Sequence, residues 1–159
     1  MDLTSGLALA GFLAVSFAAA ASGAIFKPDD WYGTLRKPGW TPKPWVFPVV
    51  WTPLYIMIAV AGWLAWRQAG LVALPFAFYA AQMVLNAAWS AAFFGLRRPD
   101  LAFADLVLLW LSIFGTILAF APLSATAAWL LAPYLLWVTI AGALNLSVWR
   151  LNPDRVAQA

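Results

Sequence analysis

The chain has 159 residues, of which 65% are hydrophobic and only 9% charged, with a formal net charge of +3; an ordinary soluble domain has about 45–50% and about 25%. So few charges cannot cover a soluble surface, and a mean hydropathy of +0.85 places the chain in a bilayer as an all-α integral membrane protein. With Cys 0 and His 0, disulfides, thiolate metal sites, cysteine nucleophiles and imidazole chemistry are excluded.

Apolar windows near the roughly 20 residues that a crossing helix needs predict a five-helix transmembrane bundle, with residues 1–159 forming one domain. The first span runs from Leu3 to Phe26. Its run Ala20-Ala21-Ser22-Gly23-Ala24 resembles a signal-peptide cleavage site. However, Asp2 precedes the apolar stretch and Lys27 follows it, the reverse of a signal peptide, so a retained helix is expected. The connector from Lys27 to Trp45 is the only long one. There Asp29 or Asp30 can cap a short helix through Leu35 and four prolines stiffen the flanks, which predicts a structured lid. Trp40 and Trp45 read equally well as interfacial anchors.

The second span, Val46 to Trp66, aligns Trp51, Tyr55, Gly62 and Trp66 on one face. Its Pro48 and Pro53, like Pro133 in the fifth span, are each expected to remove a helical hydrogen bond and allow a kink. The third span, Leu71 to Phe94, is the most informative. At about 100° per residue, Tyr79, Gln82, Asn86, Trp89, Ser90 and Phe93 share one arc, and Ala77, Ala80, Ala81, Val84, Ala87, Ala88 and Ala91 the opposite one. Amides in hydrocarbon are costly unless partnered, so Gln82 and Asn86 should face the bundle interior. They could tie helices together or serve a ligand. Small residues four apart suit close helix contact, so Ala77, Ala81, Ala88 and Ala91 are expected at a homodimer interface, with Ala10, Ala14 and Ala18 of the first span as a rival.

The fourth span, Leu101 to Ala121, carries Asp105 near its basic end, where an ion pair with Arg97 or Arg98 is expected to neutralise it. The fifth, Thr126 to Trp149, aligns Tyr134, Trp137, Ala141 and Asn145. Tallied by side, Arg67 stands alone on one face, against Lys27, Arg36, Lys37, Lys43, Arg97, Arg98, Arg150 and Arg155 on the other. That asymmetry predicts the N-terminus outside, and the first loop and C-terminus in the cytoplasm. It explains the positive charge without nucleic acid. Three helices thus offer aromatic stripes, two of them with amides. Trp31, Tyr32, Trp51, Tyr55, Gln82, Asn86, Trp89, Ser90, Tyr134, Trp137, Ala141 and Asn145 are the candidate ligand-binding residues, suited to a flat hydrophobic molecule.

The strings Lys27-Pro-Asp-Asp-Trp-Tyr, Lys37-Pro-Gly-Trp-Thr-Pro and Trp45-Val-Phe-Pro-Val-Val-Trp51-Thr-Pro-Leu-Tyr55 closely resemble the TspO/MBR family of tryptophan-rich sensory or translocator proteins. So do Gln82-Met-Val-Leu-Asn86-Ala-Ala-Trp89, Phe93-Phe-Gly95, Pro133-Tyr-Leu-Leu-Trp137 and Leu144-Asn145. The resemblance implies a five-helix bundle, often homodimeric, that binds porphyrins such as protoporphyrin IX, sterols in mitochondrial members, and isoquinoline and benzodiazepine drugs. It makes a porphyrin receptor or sensor the first reading. Porphyrin breakdown involving Trp51 and Trp137, or transport of a porphyrin or sterol-like ligand, are the alternatives. The segment Leu144-Asn-Leu-Ser-Val-Trp-Arg150 lacks the tyrosine of the mitochondrial sterol pattern, which favours a bacterial-type member. No cofactor is expected. Without His or Cys, metal-free porphyrin fits better than axially ligated haem, and Lys27, Arg36 or Lys37 could meet its propionates.

Overall fold

The computed structural model describes residues 2–156, with side chains through Asp154; the Arg155 side chain, counted above on the basic face, lies outside the described residues. All regular structure in this stretch is helical. Helix α1 (Leu3–Ile25) starts where the Asp2 carboxylate accepts the Ser5 amide at 2.8 Å. A short helix α2 (Asp30–Thr34) follows, capped by Asp29 through the Tyr32 amide. Of the two aspartates, Asp29 is therefore the cap, and the first loop is structured as expected. Next come α3 (Val46–Ala69) and α4 (Ala73–Ser90), the latter passing without interruption into a five-residue π turn, Ala91–Gly95. Arg97 then adopts a left-handed backbone (φ 56°), and Pro99 opens α5 (Pro99–Phe120) at a position where its missing amide hydrogen costs nothing. The chain ends in α6 (Ala125–Leu130), α7 (Ala132–Leu151) and the single turn α8 (Pro153–Val156).

Four stretches are long and apolar enough to cross a membrane: α1, α3, α5, and α6 with α7 from Ala125 to Leu151. The stretch expected as the third span folds as the helix α4, but its 18 residues include Tyr79, Gln82 and Asn86 and fall short of the apolarity of the other four. The fifth is not one helix. It breaks at Leu131, so Pro133 sits in the first turn of α7, where no helical bond is lost. Pro48 likewise falls in the first turn of α3. Of the three prolines, only Pro53 lies inside a helix.

Helix α4 packs between α1 and α5, α3 lies against α1 and α6, and α7 lies against α5. The core is apolar and tight: Ile58, Ala61 and Ala65 of α3, Leu109 and Ile113 of α5, and Tyr134 and Val138 of α7 are all but sealed. Indole N–H groups tie helices where lipid would leave them unbonded. Trp63 donates to the Ser5 carbonyl (3.0 Å), and Trp110 to Thr139 Oγ1 (2.9 Å). At Gly62 the backbone of α3 is approached so closely that an added Cβ would lie 2.8 Å from both Phe12 and Tyr79.

Candidate functional site

The wheel of α4 holds in three dimensions. Tyr79, Gln82, Asn86, Ser90 and Phe93 are buried, whereas Ala77, Ala80, Val84 and Ala88 are exposed and Ala81 and Ala91 half-exposed. Asn86 is the hub. The Tyr55 hydroxyl donates to its Oδ1 at 2.7 Å, and its Nδ2 donates to the Tyr134 hydroxyl at 2.8 Å, joining α3, α4 and α7. A second amide, Asn145, accepts from the Trp89 indole at 3.1 Å and donates to the Pro99 carbonyl at 2.7 Å, joining α4, α7 and the start of α5. Each amide is buried and bonded at both ends, so each rigidifies the bundle rather than burdening it.

Between these hubs lies a cavity of about 40 Å³, lined by Phe47, Trp51, Asn86, Trp89, Leu106, Leu109, Trp137 and Ala141. Trp51 stacks on Tyr55 (ring centroids 5.3 Å) and meets Tyr134 edge-on (6.0 Å), while Phe47 meets Trp137 edge-on (6.0 Å). The Trp137 indole N–H is buried and has no partner among the described residues. The walls are aromatic, then, with an amide and an unused donor as polar features. Small-molecule pockets run about 300–1,000 Å³, so as it stands the cavity has room for only a few waters.

The candidate residues divide accordingly. Trp51, Asn86, Trp89, Trp137 and Ala141 form the wall, and Tyr55, Tyr134 and Asn145 stand directly behind it as hydrogen-bond partners. Gln82 is sealed one turn before Asn86 in α4, and neither of its amide atoms has a partner among the described residues. Ser90 is buried against α1, its Oγ 3.9 Å from where a Cβ on Gly23 would stand. Phe47, Leu106 and Leu109 complete the wall without having been singled out. Phe47 falls in a run that carries the resemblance, but the two leucines look like any others in an apolar span.

Trp31 and Tyr32 lie in a cluster next to the cavity. Both meet Phe93 edge-on at 6.1 Å, and Trp89 packs on Phe93 from the cavity side at 5.4 Å. Burial lifts the Tyr32 phenol above its usual pKa. Lys37 is spent within the loop, its Nζ donating to the Tyr32 and Leu35 carbonyls and lying 4.3 Å from the Tyr32 ring. The loop is tied to the bundle by Arg97, which pairs with Asp29 at 2.8 Å. The Asp29 carboxyl is held below its usual value, first by the Tyr32 amide and then by Arg97. Arg98 pairs instead with Asp100, at 2.6 Å. Both arginines are thus engaged elsewhere, and the expected ion pair to Asp105 does not form; Asp105 Oδ2 is buried with no partner among the described residues.

An all-helical, multi-pass membrane protein with an interior cavity walled by tryptophans and an ordered first loop packed beside it is the class defined here. The chain belongs to the TspO/MBR family, whose profile matches residues 8–150. It is 46% identical over 141 residues to Protein CrtK of Rhodobacter capsulatus, covering 85% of this chain and 86% of that one. It is 44% identical to the tryptophan-rich sensory protein of Cereibacter sphaeroides (91% and 90% covered) and 38% identical to the human translocator protein (77% and 75% covered).

Proposed function

We propose that this chain is a membrane receptor of the sensory type, binding a flat hydrophobic ligand, in the first instance protoporphyrin IX, between its helices. The observation that carries the reading is the cavity walled by Trp51, Trp89, Trp137 and Phe47, with Asn86 and the Trp137 N–H as its polar groups. Ring faces suit a macrocycle, and the donor suits a nitrogen or oxygen acceptor. Because the cavity is narrow, the site opens to admit the ligand, and propionates would reach Lys27 or Arg36, since Lys37 is already engaged. In this reading α4 is the fifth crossing element, the N-terminus faces outward, and the exposed alanine stripe of α4 docks on a second copy. The names of the bacterial and animal relatives, sensory and translocator proteins, agree with a receptor role.

The test is titration of purified protein with protoporphyrin IX, followed by quenching of tryptophan fluorescence. Replacing Trp51 or Trp137 by Phe should weaken binding several-fold, since a well-placed aromatic contact contributes on the order of 1 kcal/mol beyond area burial, while thermal stability changes little. Lowered stability with unchanged affinity would show that these rings only pack the bundle. The same samples, illuminated and followed by absorption, separate receptor from enzyme: an unaltered porphyrin spectrum is expected, and a new product would favour breakdown at Trp51 and Trp137.

A further inference from the structure

The first loop is fastened at a point that the cavity itself does not explain. Asn152, which ends α7 and is 6% exposed, turns its side-chain amide onto the backbone of Arg36. The Arg36 N–H donates to Oδ1 at 2.9 Å, and Nδ2 donates to the Arg36 carbonyl at 2.9 Å. The amide thereby imitates the donor–acceptor edge of a neighbouring strand. A carboxylate in its place would lack the donor, and an ammonium the acceptor. A further bond from Nδ2 to the Val148 carbonyl, at 2.7 Å, holds the side chain against its own helix. Beside it, Leu35 is buried in a cluster with Phe93, Ala102 and Val148, against which Trp31, Tyr32 and Trp89 pack. Trp89 is also a cavity wall. Contacts therefore run from Asn152 through Arg36, Leu35 and Phe93 to the cavity.

We infer that Asn152 is a positioning residue, the latch that holds the first loop against the Phe93–Trp89 side of the cavity, and that a ligand enters when the Arg36–Asn152 pair opens. The inference rests on the proposed reading of the cavity as a ligand site. The small cavity requires something to move, and the loop is attached through this amide pair, the Leu35 plug with the Trp31 and Tyr32 rings packed around it, and the exposed Asp29–Arg97 pair. Exposed ion pairs contribute little, which leaves the buried amide pair and the plug to set closure.

The sequence carries its own reporter. Of the four basic residues in the loop, Lys27, Lys37 and Lys43 are each followed by proline, where trypsin does not cut. The remaining site is the Arg36–Lys37 bond, whose carbonyl Asn152 holds. Cleavage there follows the population in which the pair is open. The experiment compares full-length wild type, Asn152→Ala and Asn152→Asp in detergent. The aspartate keeps an acceptor for the Arg36 amide and loses both donations, and it guards against collapse of the alanine variant. Cleavage after Arg67, at the other end of the bundle, monitors global unfolding. The alanine variant, which loses both bonds to Arg36, should be cut after Arg36 about tenfold faster or more, and the aspartate variant, which loses one of them, several-fold faster, with the rate after Arg67 unchanged in both. Protoporphyrin IX should associate and dissociate several-fold faster than with wild type, and bound porphyrin should slow cleavage after Arg36. Unchanged cleavage after Arg36, equal acceleration at both sites, or faster cleavage with unaltered porphyrin kinetics would each overturn the latch. If the wild type does not bind porphyrin at all, the functional reading fails, and cleavage alone judges the latch.

Discussion

Gly62 is where the packing of α1, α3 and α4 is tightest, and its replacement by alanine has a calculable outcome. The new Cβ would stand 2.8 Å from Phe12 Cδ1 and from Tyr79 Cζ and Oη, where ordinary contact begins at 3.4 Å. The Tyr79 ring must therefore withdraw by roughly 0.6 Å or more. It has little room: Phe120 is stacked against it at 5.8 Å, and Phe12 and Phe76 press on its edges at 5.8 and 6.0 Å. Its hydroxyl also donates to the Ile58 carbonyl at 3.1 Å. Overpacking costs about 1–3 kcal/mol and a strained membrane hydrogen bond about 0.6 kcal/mol, while the better helix propensity of alanine returns about 1 kcal/mol. The net is a loss of about 1–2 kcal/mol, or a melting temperature lower by about 2–8 °C. Thermal unfolding in detergent, followed by tryptophan fluorescence, measures it. Gly142→Ala is the control: no atom lies within 4 Å of its added Cβ, and it should be neutral or slightly stabilising. Combining Gly62→Ala with Tyr79→Phe, which removes one of the close contacts, should cost less than the two single changes summed. A Gly62→Ala protein as stable as wild type would refute the reasoning.

Replacing Asn86 by leucine strips partners from the Tyr55 and Tyr134 hydroxyls; stability should fall by about 1–2 kcal/mol and protoporphyrin affinity several-fold, as read by unfolding and by titration of the same sample. Ala81→Leu or Ala88→Leu should leave a monomer in light scattering, whereas Ala14→Leu, on the rival face of α1, should leave a dimer; the reverse pattern would assign the interface to α1. The Asp29 carboxyl is depressed in the fold, so its contribution is complete above the usual value of 3.8 and is lost as pH falls through the lower folded value. Near-ultraviolet dichroism of the loop tryptophans should change below about pH 4, and the change should shrink in Asp29→Asn.

The helices were legible because lipid demands long apolar runs, and the inward face of α4 because amides there must find partners. The tyrosine–asparagine hub could be anticipated in its members but not in its bonds, since side chains from three helices meet in it. Leu106 and Leu109 carry no polar mark that separates a cavity wall from ordinary core. Asp105 misled for a related reason: adjacency in sequence to Arg97 and Arg98 says nothing of their competing partners, Asp29 and Asp100. Asn152 lies just past the last apolar window and acts on a residue 116 positions away, beyond any local pattern.

The π turn at Ala91–Gly95, closed by the Leu96 amide on the Ala91 carbonyl at 2.8 Å, acts as a delay in the rotation of the chain. A helix advances by about 100° with each residue, and one residue more than an α-turn uses holds Phe93 and Phe94 beneath the loop while Arg97 still arrives facing Asp29. Length here therefore encodes direction. Removing a single residue from this turn would restore the tighter α pitch and re-aim Phe93 and Phe94, the side chains that the wider turn displays, so that in this segment a deletion is a change of aim and a substitution only a change of contact.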